Sequence, residues 1–125
     1  MKRVRFVIHD PDINRVLGNV AVLSLDDGAN IIDVIRRVDE LIAQKVDVFP
    51  VKGCRSLLHL TFHPVERRFY SHAALTAYSQ TERFIDVKAD VDSPLPDGAV
   101  VILALTVCGG DWKQIVDVLA VSSNR

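Results

Sequence analysis

The residues whose types and spacing can do chemistry gather near the C-terminal end of the chain, in LTVCGGDWKQIVD, residues 105 to 117. Gly109 and Gly110 follow a long apolar run, and Cys108 stands directly before them. Without a Cβ, two adjacent glycines let a backbone pass where a side chain would block the way. The pair is therefore either a slender end read by another protein or a turn between two elements. A thiol acts as a nucleophile when a base and an orienting group activate it, and no histidine spacing identifies such a base for Cys108. At a strand end it is expected to be a small buried hydrophobe, or, if exposed, a reactive thiol. His59 and His63 have H-x-x-x-H spacing, which on a helix turns two imidazoles toward one metal. On a strand, residues four apart lie about 13 Å apart, too far for shared coordination. They are read as two solvent-side histidines, which His72 joins only if the chain folds back. Asp10, Asp12, Asp26 and Asp27 sit among turn residues and form no calcium-loop pattern, so neither a metal nor a cofactor is expected.

Positioning any of these groups takes a scaffold, and its periodicity is readable. In RVRFVIH, residues 3 to 9, Val4, Phe6 and Ile8 share one face while Arg3, Arg5 and His9 share the other, the signature of a half-buried strand. Asp-Pro and Gly18-Asn19 read as turn residues in a longish loop, and Val20 to Leu25 reads as the second strand of a hairpin. Ile31, Ile35, Val38 and Ile42 fall on one helical face. Asp27 or Asn30 can cap that helix, and Lys45 lies in its last turn. Residues 46 to 56 read as a loop around Pro50 and Gly53. A third strand is expected over LLHLTFH, residues 57 to 63, ended by Pro64. The spacing further predicts a strand continuation at Arg68 to Tyr70, a short helical turn near Ser71 to Tyr78, and a fourth, edge strand through Ile85, Val87, Ala89 and Val91. After the SPLPDG turn, Ala99 to Val107 is apolar on both faces, as befits the middle of a covered sheet.

Composition narrows the function classes. The chain has 125 residues, 49% hydrophobic and 25% charged, with a net charge of −1. That is one globular domain with a core of its own, with no overall field to draw it to nucleic acid or anionic lipid. MKRVRFVIHDPD has too short an apolar run for a signal-peptide core, and no apolar stretch approaches the roughly 20 residues of a membrane span. A cytoplasmic protein that binds neither nucleic acid nor membrane is expected, with its two cysteines reduced and unpaired.

The stretch SPLPDGAVVILALTVCGG, residues 93 to 110, resembles the end of the ubiquitin-like β-grasp family. Its relatives include the molybdopterin-synthase small subunit, the thiamine sulfur carrier and archaeal ubiquitin-like modifiers. The polar Leu-x-Asp-Gly turn, the apolar last strand and the closing diglycine occur together, and the order of elements from residue 3 agrees. The resemblance implies an α+β fold with a mixed sheet of four to five strands and one main helix packed on it. The β-grasp domain would span residues 1–110, followed by an extension, residues 111–125. It also implies that the chain is a protein modifier or sulfur carrier and not itself an enzyme. Gly110 would hold the carboxylate that an adenylating, E1-like enzyme activates, and Gly109 would be its slim neighbour. Because residues 111–125 follow Gly110, a processing protease would first have to cut between Gly110 and Asp111. Cys108 departs from the family, where this position is often small or basic.

The same residues permit another reading. Asp111 and Gln114 have capping-box spacing, and Trp112, Ile115, Val116, Leu119 and Ala120 follow a helical period. A retained C-terminal helix would pack on the sheet face left bare by the first helix, and Gly109-Gly110 would merely reverse the chain. The protein would then be a β-grasp interaction scaffold that binds partner proteins through its sheet face or edge strand.

Overall fold

A computed structural model describes residues 1–105. In chain order the elements are β1 (Lys2–His9), α1 (Pro11–Leu17), β2 (Val20–Leu25), α2 (Ile31–Lys45), α3 (Leu57–Thr61), β3 (Phe62–His63), β4 (Arg68–Phe69), β5 (Ala73–Tyr78) and β6 (Val100–Leu105). Four strands form one sheet in the order β2-β1-β6-β5, and β3 and β4 form a separate ribbon. β1 runs antiparallel to β2 and parallel to β6, while β5 runs antiparallel to β6. The mixed sheet and the main helix α2 match the architecture implied by the resemblance.

Alternation along the strands sorts the side chains into two layers. Val4, Phe6 and Ile8 of β1, Leu23 of β2, Val101 and Leu103 of β6 and Ala73 and Ala77 of β5 are buried on the inner face. Ile31, Val34, Ile35, Val38 and Ile42 of α2 join the same core, as do Ile13 and Leu17 of α1. Asn30 caps α2 through a reciprocal pair: its side chain accepts from the Asp33 amide at 3.1 Å, and Asp33 accepts from the Asn30 amide at 3.0 Å. Of the two candidate caps, the structure thus uses Asn30, and Lys45 does occupy the last turn.

Four expectations are corrected. The stretch after Asp10 is the helix α1, not an open loop: the Asp10 carboxylate accepts from the Ile13 amide at 3.0 Å, and Pro11 stands in the first turn. Asp-Pro is here an N-cap followed by a pre-formed first helical residue. Leu57–Thr61 is helical, so only Phe62–His63 of the third strand forms; the Ser56 hydroxyl accepts from the His59 amide at 3.0 Å and starts the helix. Ala73–Tyr78 is the strand β5, not a helical turn, because every residue in it pairs with β6. Residues 85 to 91 do not form a strand; Ile85 alone makes a bridge, to Ala77. Val87, Val91 and Leu95 are nonetheless buried, so apolar anchoring of a loop imitates a strand's alternation. The C-terminal helix expected over residues 111–125 lies outside the described residues.

Two polar groups hold the layers in place. Lys2 shares the inner face of β1 and is 3% exposed. Its ammonium donates to the carbonyls of Asp27 and Ala29 at 2.7 Å and of Leu95 at 2.6 Å. Burial lowers its pKa from the ordinary lysine value, against the pull of Asp27, Asp33 and Asp97. Asp39, on α2, accepts from the amides of Leu57 at 2.6 Å and Leu58 at 3.1 Å, satisfying donors that the first turn of α3 leaves open.

Burial pushes the Asp39 carboxyl above its ordinary value, while the Leu57 and Leu58 amides pull it back. An acid held more tightly by its proton in the folded state favours folding below its unfolded pKa, and this contribution is lost as pH rises through the folded pKa. The stability of the native chain relative to Asp39→Asn is therefore expected to grow as pH falls from neutrality through the carboxylate range. Paired urea melts measure it, and a difference that does not change with pH contradicts the assignment.

Candidate functional site

β6 is the element that positions the predicted chemistry. It lies between β1 and β5, with Val100 to Ala104 beside Arg5 to His9 on one side and Val100 to Leu105 beside Tyr78 to Ala73 on the other. Its start is fixed by the PLPDG turn. The Ala99 amide donates to the Pro96 carbonyl at 3.2 Å, and Gly98 adopts a φ of 79°, a left-handed conformation that favours glycine. The turn is tied to β1 at Arg3 by two bonds: the Asp97 carboxylate accepts from the Arg3 amide at 2.8 Å, and the Gly98 amide donates to the Arg3 carbonyl at 2.8 Å. β6 therefore leaves the middle of the sheet in a fixed direction. Five residues beyond Leu105 comes Gly110, a span of at most about 17 Å for an extended chain. Cys108, Gly109, Gly110 and Asp111 all lie outside the described residues.

The outer face of the sheet is the other part of the site. Arg3, Arg5 and Val7 of β1, Val20 and Val22 of β2, Val100, Ile102 and Ala104 of β6 and Ala74, Thr76 and Tyr78 of β5 point to this side by alternation. Val22 is 60% exposed and Val20 52%. Val7, Val100 and Ile102 are half-buried and do not pack against the main core. The expectation that β6 would be covered on both faces is thus met on one side only among the described residues.

At the Arg3 and Arg5 end the face becomes a shallow groove of about 740 Å³, with Tyr78 and Thr81 on the opposite wall. Neither guanidinium forms an ion pair among the described residues. Arg67 and Arg68, by contrast, are engaged by Asp92 and Glu66. Sequence places Arg3 and Arg5 on the outward face of β1, but gives no sign that neither would meet a carboxylate.

No group of three or more potential metal ligands occurs among the described residues. His59 lies on α3, where its Nδ1 accepts from the Arg55 amide at 3.2 Å, and His63 on β3 accepts from the Glu66 amide at 3.1 Å. The chain does fold His72 back toward them: its ring stacks on Tyr70 at 5.2 Å, and Tyr70 meets His63 edge-on at 5.8 Å. Cys54 is buried and in no disulfide, and burial raises its thiol pKa, which leaves it poorly suited to nucleophilic work. No described helix is long and apolar enough to cross a membrane.

No model of a known protein family matches the chain, and no curated protein matches it. Among solved structures, the crystal structure of H. volcanii small archaeal modifier protein 1 is similar, with a TM-score of 0.52 over 86% of this chain and 100% of that chain. The two sequences are 13% identical. A likeness at that identity is one of fold. With its mixed sheet, packed α2 and central β6, the chain has the ubiquitin-like β-grasp fold.

Proposed function

We propose that the chain is the precursor of a ubiquitin-like modifier or sulfur carrier, cut after Gly110 and activated at the new carboxylate by an adenylating enzyme. The observation that carries this reading is the course of β6. The strand is held on both sides, and the two glycines come four and five residues past its last described position. The likeness in fold to an archaeal modifier protein supports it.

The chemistry is supplied by partners. A protease hydrolyses the Gly110–Asp111 peptide bond. The freed carboxylate oxygen attacks the α-phosphorus of ATP, and pyrophosphate leaves. A sulfur donor or a lysine amine then attacks the acyl carbon, and AMP leaves. The contribution of this chain is steric and positional: Gly109 and Gly110 admit the tail to a narrow slot, and the outer sheet face, with Arg3 and Arg5 at one end, supplies a surface for partner proteins.

The test is ATP–pyrophosphate exchange with the adenylating enzyme of the same cell. Residues 1–110 are expected to support exchange, while the 125-residue chain and residues 1–110 with Gly110→Val are not. Exchange that is absent with the trimmed chain, or equal for all three, overturns the proposal. The apolar strip on β6, which no described element covers, also favours a second reading, a scaffold that keeps its tail and binds partners through the sheet face; it requires that only the full-length chain occur in the cell.

A further inference from the structure

The two edges of the sheet differ. At the β5 edge, the Ala73 amide donates to the Tyr70 carbonyl at 3.0 Å, and the Ala77 carbonyl accepts from the Ile85 amide at 2.8 Å. Neighbouring loops thus engage that edge toward both ends of the strand. The β2 edge has no such cover among the described residues.

The ladder shows which groups of β2 stand open. On β1, the Arg5 amide donates to the Ala99 carbonyl at 2.9 Å and the Arg3 carbonyl accepts from the Gly98 amide, both on the β6 side. Neighbouring residues of a strand aim their polar groups to opposite sides, so those of Lys2, Val4 and Phe6 turn toward β2, where they face Leu25, Leu23 and Ala21. The amides and carbonyls of Val20, Val22 and Ser24 therefore point away from the sheet, and no described group pairs with them.

An open row of this kind is a template for another strand, and proteins blunt it with charge, proline, a bulge or a very short strand. β2 uses none of these. Its six residues, VAVLSL, hold no charge and no proline, and its register with β1 runs unbroken from Leu25 to Val20. The side chains beside the open groups, Val20, Val22 and Ser24, are exposed. On the outer face the apolar strip of Ile102, Val7 and Val20 stands in one row and runs out to this edge.

We propose that β2 pairs antiparallel with β2 of a second copy, about a twofold axis at Val22. The open groups are symmetric about that residue. Val22 exchanges both bonds with the partner's Val22, and Val20 does the same with the partner's Ser24, so the edge is complementary to itself, as a twofold dimer requires. Val20 also comes diagonal to the partner's Val22, within side-chain reach. Charge does not oppose the pairing. The chain carries a net charge of −1, which leaves little repulsion between whole molecules. Arg5 and the partner's Arg5 share the row of the axis but stand three strand spacings apart, about 14 Å, beyond the screening length of about 8 Å at physiological salt. A six-residue edge buries less than the roughly 1,200–2,000 Å² of a stable interface, so the dimer is weak and forms where the chain is concentrated. It is independent of whether Gly110 is the processed end.

The test is sedimentation velocity of the full-length chain at concentrations from about 10 μM to about 1 mM, a range that brackets weak association, together with residue-resolved amide exchange. The sedimentation coefficient is expected to rise toward that of a dimer. The amides of Val20, Val22 and Ser24 should gain protection in step with it, while those of Ala21 and Leu23 stay protected throughout. Val22→Lys places two ammonium groups at the axis and should weaken association about tenfold or more with the far-ultraviolet circular dichroism unchanged. Val65→Lys, at a position 85% exposed in the turn between β3 and β4, should leave association as it was. A monomer at every concentration overturns the pairing, and so does a dimer that survives Val22→Lys or leaves the three amides open. Protection of those amides that is equal at all concentrations assigns the edge to the chain's own residues and overturns it too. Exchange is read on the unaltered protein, so it decides the matter even if the Val22 variant fails to fold.

Discussion

Phe6→Ala is expected to lower the unfolding free energy by about 3–5 kcal/mol, the usual range for removing a buried aromatic ring. Phe6 is fully buried near the middle of β1. Its partners across the two neighbouring strands are Ala21 and Val101, and a small residue at Ala21 leaves the space that the ring fills. Relaxation would have to move the helix layer onto the sheet, which a close-packed interior resists. A domain of this size has about 5–15 kcal/mol in all, so the variant should be marginal at physiological temperature. Urea denaturation measures the loss, and a loss below about 1 kcal/mol would mean that the site collapses or that the ring is not where the core needs it.

Lys2→Met is expected to cost about 2–4 kcal/mol, although methionine keeps the apolar stem. The ammonium donates to three carbonyls from two separate loops, Asp27 and Ala29 before α2 and Leu95 in the turn before β6. Removing it leaves the Asp27 and Leu95 carbonyls without that donor and the Ala29 carbonyl with the Leu95 amide alone, at about 1–3 kcal/mol for each acceptor left unsatisfied before relaxation and water entry. The loss should be local as well as global: amide exchange at Ala29 and Leu95 should speed up first. The Leu95 amide itself donates to the Ala29 carbonyl at 3.0 Å, so the two loops open together. An unchanged unfolding transition would contradict the staple.

Where periodicity was long and regular, the sequence revealed the scaffold. Val4, Phe6 and Ile8 announced β1, Ile31 to Ile42 announced α2, and the PLPDG turn announced the start of the central strand. Short elements were less legible because their signals are shared. Asp-Pro begins a turn or a helix, and only the Ile13, Val16 and Leu17 spacing that follows favours α1. Leu58, Leu60 and Phe62 alternate as in a strand, yet Ser56 and the distant Asp39 together satisfy the helical amides of 57–59. The Asp39 contact crosses 18 positions in sequence, beyond any local pattern. Ala73 to Ala77 lacks β-branched residues apart from Thr76 and becomes a strand because β6 is there to pair with it. Of the candidate site, the direction of β6 and the outward phase of Arg3 and Arg5 were readable, whereas the apolar strip emerged only when Val7, Val20 and Ile102 were brought into register.

The central claim is that Gly110 becomes the end of the working protein. Intact mass spectrometry of the chain purified from its native cells tests it most directly. The account predicts a species ending at Gly110, lacking residues 111–125, that bears a carboxylate or thiocarboxylate or is joined to another protein through that carbonyl. Recovery of the full-length chain alone, under conditions where conjugates or sulfur transfer are active, would contradict it.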